Sequence, residues 1–187
     1  MKIWTISDNH FFHKNIIKYC NRPFNSVEEM NEFMIRKWNE KISKKDIVIH
    51  LGDFALVNID KIKELRKKLN GIIFLIQGSH DRRIKEYCGF IIIRGTLQIG
   101  NLLFSHRPIP LEEIPKGFVN IHGHIHEKEV LDKKKQMNVS VEKTEYEPIE
   151  ICEIEKKFDI DLRQVRRISK LKARVSLIKR KDLDEND

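Results

Sequence analysis

The stretch Ile72-Ile73-Phe74-Leu75-Ile76-Gln77-Gly78-Ser79-His80-Asp81 decides how this chain folds. From Ile72 to Ile76 the run is apolar without a break, β-branched or aromatic at most positions, and of strand length. Such a run predicts a central strand buried on both faces. It stops abruptly at Gly78, and a hydroxyl, an imidazole and a carboxylate follow. In open α/β sheets, ligands bind in the crevice beyond the carboxyl ends of the strands, so these polar residues sit where chemistry is expected.

Working outward from that strand, Ile62, Leu65 and Leu69 recur at helical spacing, and Asn70-Gly71 can close the helix. Asp46–Leu51 (DIVIHL) reads as a second strand and Lys2–Ser7 as the first. Between them, Ser26-Val27-Glu28-Glu29 has the form of a capping box, with Met30, Phe33, Met34 and Trp38 on one face of a helix reaching about Ile42. Downstream the pattern turns to strands at Phe90–Ile93, Thr96–Ile99 and Leu102–Ser105, the last two joined by the hairpin pair Gly100-Asn101. Further strands are expected at Phe118–Ile121, Met137–Val141 and Ile149–Ile154, with Lys133-Lys134-Lys135 as a solvated turn. Alternating β and α followed by mostly β predicts an α/β layered sandwich of two mixed β-sheets flanked by helices. The body is expected to occupy residues 1–154. Residues 155–187 form a basic extension with an acidic tail, in which Leu162, Val165, Ile168, Leu171, Val175 and Ile178 stripe a helix over Asp159–Lys181.

Bulk composition narrows the function classes. The 187 residues suit one domain with an appendage, and 40% hydrophobic against 34% charged residues describes a globular protein with a charged surface. No apolar run is long enough to span a membrane and Met1–His10 lacks a secretory pattern, which predicts a cytoplasmic protein without membrane contact. Three widely spaced cysteines, Cys20, Cys88 and Cys152, indicate neither a disulfide framework nor a thiolate zinc site. The net charge of +8 biases the partner toward anions, nucleic acid and nucleotides among them.

Metal-ligand residue types follow five of the predicted strands. These are Asp8-Asn9-His10, Gly52-Asp53, Gly78-Ser79-His80-Asp81, His106, and Gly123-His124-Ile125-His126. Residues two apart in an extended segment point the same way, so Asp8 with His10, and His124 with His126, can each present a pair of ligands. Carboxylate and imidazole without thiolate suit manganese, iron, zinc or nickel better than a structural zinc. In order and spacing the series resembles the signature of calcineurin-like metallophosphoesterases, over roughly residues 1–154. Asn15-Ile16-Ile17, Arg22-Pro23-Phe24 and His50-Leu51-Gly52-Asp53-Phe54 further resemble a small, largely prokaryotic branch of that superfamily.

The resemblance implies a hydrolase with two divalent cations, manganese first among the choices. Asp8, His10, Asp53 and His126 would hold one cation, and Asp53, Ser79, His106 and His124 the other, with Asp53 bridging. Cations about 3.5–4 Å apart can share a hydroxide aligned with phosphorus. His80 would assist the leaving group, and Asp81 would orient the ring of His80 through a hydrogen bond. One position departs from the family. Where it has asparagine as a ligand, this chain has Ser79, whose shorter neutral side chain predicts a weakened second site.

Outside that set, Arg22 can clamp a phosphate or make a surface salt bridge, Arg107 follows a ligand position, and His13 lies three residues past His10; all three are expected substrate contacts. The basic C-terminal helix can track a nucleic-acid backbone, dock on the body, or pair with a second copy as a homo-oligomer. The leading function is hydrolysis of a phosphoester, a diester of nucleotide or nucleic-acid type before a monoester. The alternatives are a non-catalytic scaffold on the same fold, favoured by Ser79, and a nucleic-acid-binding protein with a compromised metal site.

Overall fold

A computed structural model describes residues 1–161. Two sheets form the frame. The first runs β4(Ile91–Ile93)-β3(Ile72–Ile76)-β2(Ile47–His50)-β1(Ile3–Ile6)-β9(Ile149–Glu150), and the second β5(Leu97–Ile99)-β6(Leu102–Ser105)-β7(Val119–His122)-β8(Gln136–Asn138). β1 to β4 are parallel with β9 antiparallel at the edge; β6, β7 and β8 are parallel with β5 antiparallel. The expected sandwich of two mixed sheets flanked by helices is therefore observed.

The period-2 geometry of the central strands explains the layers. Val48, Ile73 and Leu75 face a core shared with Met30, Met34 and Trp38 of α2 (Val27–Lys41) and Ile62 and Leu65 of α3 (Ile59–Lys68). Ile49 and Ile76 face the other way, onto Leu102, Phe104, Val119 and Ile121 of the second sheet. Both helices begin on side-chain caps: Ser26 accepts from the Glu29 N–H at 3.1 Å, and Asn58 from the Lys61 N–H at 3.0 Å. The four-residue α1 (Ile16–Tyr19), too short to announce itself by periodicity, is anchored by buried Ile16. No helix of the described residues is long and apolar enough to cross a membrane.

One element differs from expectation. Ile149–Ile154 is not a strand: pairing ends at Glu150, and α4 (Ile151–Phe158) begins there on a capping box with Glu153. Ile151 and Ile154, three apart, both insert between the sheets, where alternation would have sent one of them outward. Asp159, left-handed at φ 53°, closes α4, and Phe158 and Ile160 pack against the second core. Nearly all of the helix expected over Asp159–Lys181 lies outside the described residues.

Candidate metal centre

The parallel strands β1, β2 and β3 end together, as do β6 and β7, and the bonds His106 Nδ1 to Leu51 carbonyl and His124 N–H to Asp8 Oδ2 bring the five candidate loops of the two sheets to one end. Backbone bonds zip them together. Asp8 and His10 N–H groups donate to the carbonyls of Gly52 and Asp53, each at 3.0 Å, and Gly123 N–H donates to the His106 carbonyl, also at 3.0 Å. The paired ligands do not come from extended segments, as their spacing suggested. Asp8, His10, Asp53, His124 and His126 are all left-handed, with φ of 59°, 50°, 52°, 71° and 50°. Such backbone costs roughly 1–3 kcal/mol per residue and concentrates at functional sites. Gly123 permits the closest approach, since a Cβ there would collide with the Ser7 side chain and the Asp8 carboxylate.

Asp53 lies at the middle. Its Oδ2 is 3.6 Å from His10 Nε2 and 3.5 Å from His106 Nε2. Ligand atoms of Asp8, His10 and His126 lie within 4.8 Å of one another, as do those of Asp53, His106 and His124. His106 and Asp8 are each tethered at one polar atom and free at the other. His106 Nδ1 is bound to the Leu51 carbonyl at 2.8 Å while Nε2 is buried without a partner. Asp8 Oδ2 accepts from His124 N–H and from the Ser140 hydroxyl, both at 2.8 Å, while Oδ1 is unpartnered. Both ring nitrogens of buried His10 lack partners. Buried polar atoms are nearly always satisfied, so this cluster of orphans fits a site for divalent cations.

Electrostatics agree with that reading at His10 and His124, and run against it at Asp8 and His126, whose charges a cation would have to displace or reverse. Burial, then the nearby Arg22 charge, holds His10 well below the usual imidazole range, and burial, then His106, lowers His124 to about 4. Both rings therefore offer lone pairs at neutral pH. Burial also raises the Asp8 carboxyl. At His126 burial acts downward, but hydrogen bonds with Cys20 and Glu142 outweigh it and raise the ring to about 10.

His80 is exposed, its ring centroid 5.3 Å from that of His10, and its N–H donates to Asp53 Oδ1 at 2.9 Å. Ser79 is exposed on the same turn. His13 is half-buried, 5.4 Å from the His10 ring. Arg107 is exposed, and its charge is felt at His124. Two expectations need correction. Asp81 does not orient the His80 ring; its fully buried carboxylate accepts from the N–H groups of Asp53 (2.7 Å), Gly78 (2.8 Å) and Phe54 (2.9 Å). Arg22 is neither a phosphate clamp nor a surface salt bridge. Its side chain is fully enclosed, donating to the Asp8 carbonyl at 2.7 Å, the Asn9 carbonyl at 2.8 Å and Glu142 Oε1 at 2.6 Å.

Glu142 is a residue that sequence reasoning missed. One oxygen, Oε1, takes Arg22 and also His126 Nδ1 at 3.1 Å, so it positions two ligand loops at once. A signal was present in Asn138-Val139-Ser140-Val141-Glu142, where polar residues alternate with valine; Asn138 and Ser140 do bond His126 and Asp8, whereas Glu142 reaches the site from a 3-10 turn over Val141–Lys143.

His50 holds the Asp53 loop from below. Nε2 bonds Asn9 Oδ1 at 2.8 Å, and Nδ1 accepts from Gly52 N–H at 3.1 Å, an arrangement that requires the neutral ring. Burial, with the His106 charge second, lowers its pKa to about 3. The folded value lies below the unfolded one, so this contribution to stability is complete above an unfolded pKa of about 6.5. It is lost as pH falls toward the folded value. Metal-free protein titrated with urea at about pH 7 and about pH 4 should lose on the order of 3 kcal/mol more than the His50→Asn variant. Equal losses in the two proteins would remove His50 from this role.

Fold and ligand geometry together define a class, and the profile of the calcineurin-like phosphoesterase superfamily domain matches residues 1–141: the chain belongs to that superfamily. Among its relatives is the uncharacterized protein MJ1445 of Methanocaldococcus jannaschii, 40% identical over 163 residues, covering 80% of this chain and 87% of that one. The solved structure of AQ665, a protein of unknown function from Aquifex aeolicus, is similar with a TM-score of 0.65 and 25% identity, over 83% of this chain and 98% of that one. The nuclease MPE of Pseudomonas putida aligns with a TM-score of 0.49 and 18% identity, over 66% and 61% of the two chains.

Proposed function

We propose that this chain is a phosphodiesterase acting on nucleotide or nucleic-acid substrates, with two divalent cations held around Asp53. One cation would be held by Asp8, His10, Asp53 and His126, and the other by Asp53, His106, His124 and, weakly, Ser79. The observation that carries this reading is the position of Asp53 Oδ2 between two buried, unpartnered imidazole nitrogens. Bound there, a cation pair supplies an activated water and neutralises charge on the phosphoryl oxygens. Manganese suits the carboxylate–imidazole set best, with iron, nickel and zinc as alternatives. His80, exposed beside His10, is placed to give a proton to the leaving oxygen, and His13 and Arg107 line the substrate side. The diester preference follows the net charge of +8, which favours polyanions such as nucleic acid, together with the resemblance to family members that act on diesters. Cys20, Cys88 and Cys152 are free thiols, which suits a reducing, cytoplasmic setting.

The test compares this chain with its Ser79→Asn and His80→Ala variants on an aryl phosphodiester and a monoester in the presence of manganese. Ser79→Asn should raise turnover at limiting metal about 10-fold, and His80→Ala should lower kcat by about 10²-fold or more. Absence of turnover by all three with manganese, iron, nickel and zinc would favour a non-catalytic scaffold, the reading to which Ser79 lends support.

A further inference from the structure

We infer that Tyr19 and His13 form a stacking subsite for a nucleobase attached to the scissile phosphate, an inference that rests on the phosphodiesterase reading. The short helix α1 is held to the body by Ile16, which is buried, and by Ile17, which packs against the same core. Tyr19 takes no part in that anchoring and is 72% exposed. Among the described residues only Tyr19 and Tyr87 are strongly exposed aromatics, and they are placed differently. Tyr87 has the Lys63 ammonium over its face at 5.2 Å. The Tyr19 ring instead meets His13 edge-on at 6.1 Å between centroids.

From His13 the path leads straight to the metal centre. Its ring is 6.2 Å from His80 and 5.4 Å from His10, and His80 is 5.3 Å from His10. An open aromatic ring thus stands two ring-to-ring steps from both His10 and His80, beside the place of the scissile phosphate. A sugar between phosphate and base fills a gap of that kind. Every nucleobase has a π-face, so an exposed ring at this distance binds bases with little regard to sequence. Lys14 and Lys18, both exposed on the same short segment, add the positive charge that neighbouring phosphates need. The ligand class is therefore a nucleoside-bearing phosphodiester. An alkyl diester would leave the ring unused.

The experiment uses two esters with one leaving group, the p-nitrophenyl ester of thymidine 5′-monophosphate and methyl p-nitrophenyl phosphate. It is run with the full chain and manganese. The ratio of kcat/KM for the thymidine ester to that for the methyl ester should fall about 10-fold or more in Tyr19→Ala and return in Tyr19→Phe. A ratio unchanged by Tyr19→Ala overturns the subsite, even if both rates fall. Should the unaltered chain hydrolyse neither ester, hydrolysis is refuted, and equilibrium dialysis of thymidine 5′-monophosphate decides the subsite alone. Weakening by about 10-fold in Tyr19→Ala upholds it. No binding by the unaltered chain, or equal binding by both, overturns it.

Discussion

Replacing Asp53 with asparagine should lower manganese-dependent phosphodiester hydrolysis by about 10³-fold or more while leaving the fold intact. The two side chains have the same shape, but asparagine is neutral and carries an amide nitrogen at one of its two terminal positions. If that nitrogen takes the place of Oδ2, two N–H donors face His10 and His106, whose Nε2 atoms lie 3.6 and 3.5 Å away. If it takes the place of Oδ1, it faces the N–H of His80, which now donates to that oxygen at 2.9 Å. Either orientation removes the shared negative charge. The loop itself should persist, because Asp53 N–H and Phe54 N–H are held by Asp81 and the Asp53 carbonyl accepts from His10. Near-wild-type turnover in a correctly folded Asp53→Asn protein would remove Asp53 from the centre of the account.

Asp81→Ala should instead act on stability, by about 3–5 kcal/mol in denaturant titrations of metal-free protein. The carboxylate is fully buried and gathers three backbone N–H groups from two loops. Removing it leaves those donors without partners where water cannot reach them all, at about 1–3 kcal/mol each. Burial has already pushed its pKa up to about 6. Asp81→Asn should restore only part of the loss, since an amide nitrogen would face an N–H. A role in orienting His80 predicts the opposite pattern: a large fall in kcat with stability unchanged. That outcome would reinstate the reading that the structure displaces.

What was legible in the sequence was the part that uses rare residue types in ordered positions. Imidazole and carboxylate after five strands mark the site because few other needs put them there, and Ile72–Ile76 marks the central strand because both of its faces are buried. The directions of individual side chains were not legible. Both readings of Arg22, a phosphate clamp and a surface salt bridge, assume the usual solvent-facing guanidinium, yet it is folded inward, where two carbonyls and Glu142 take up its donors. Asp81 beside His80 suggested a bond between neighbours, whereas the tight turn sends the carboxylate back beneath Gly78 toward the Asp53 loop. Ile149-Glu150-Ile151 opens with a period of two, whereas Ile151 and Ile154 are three apart, and the capping pair Glu150 and Glu153 marks where the helix takes over. The left-handed backbone at the five candidate ligands could not be told from residue type: aspartate and histidine adopt it more often than most residues, but metal-ligand chemistry alone already accounts for them at these positions.

The most direct test is electron paramagnetic resonance of the protein at manganese well above both dissociation constants. Two Mn(II) ions sharing one carboxylate should give an exchange-coupled spectrum, and Asp53→Asn should replace it with that of a single isolated ion or of free manganese. Magnetically independent ions in the unaltered chain, or coupling that survives in Asp53→Asn, would contradict the claim.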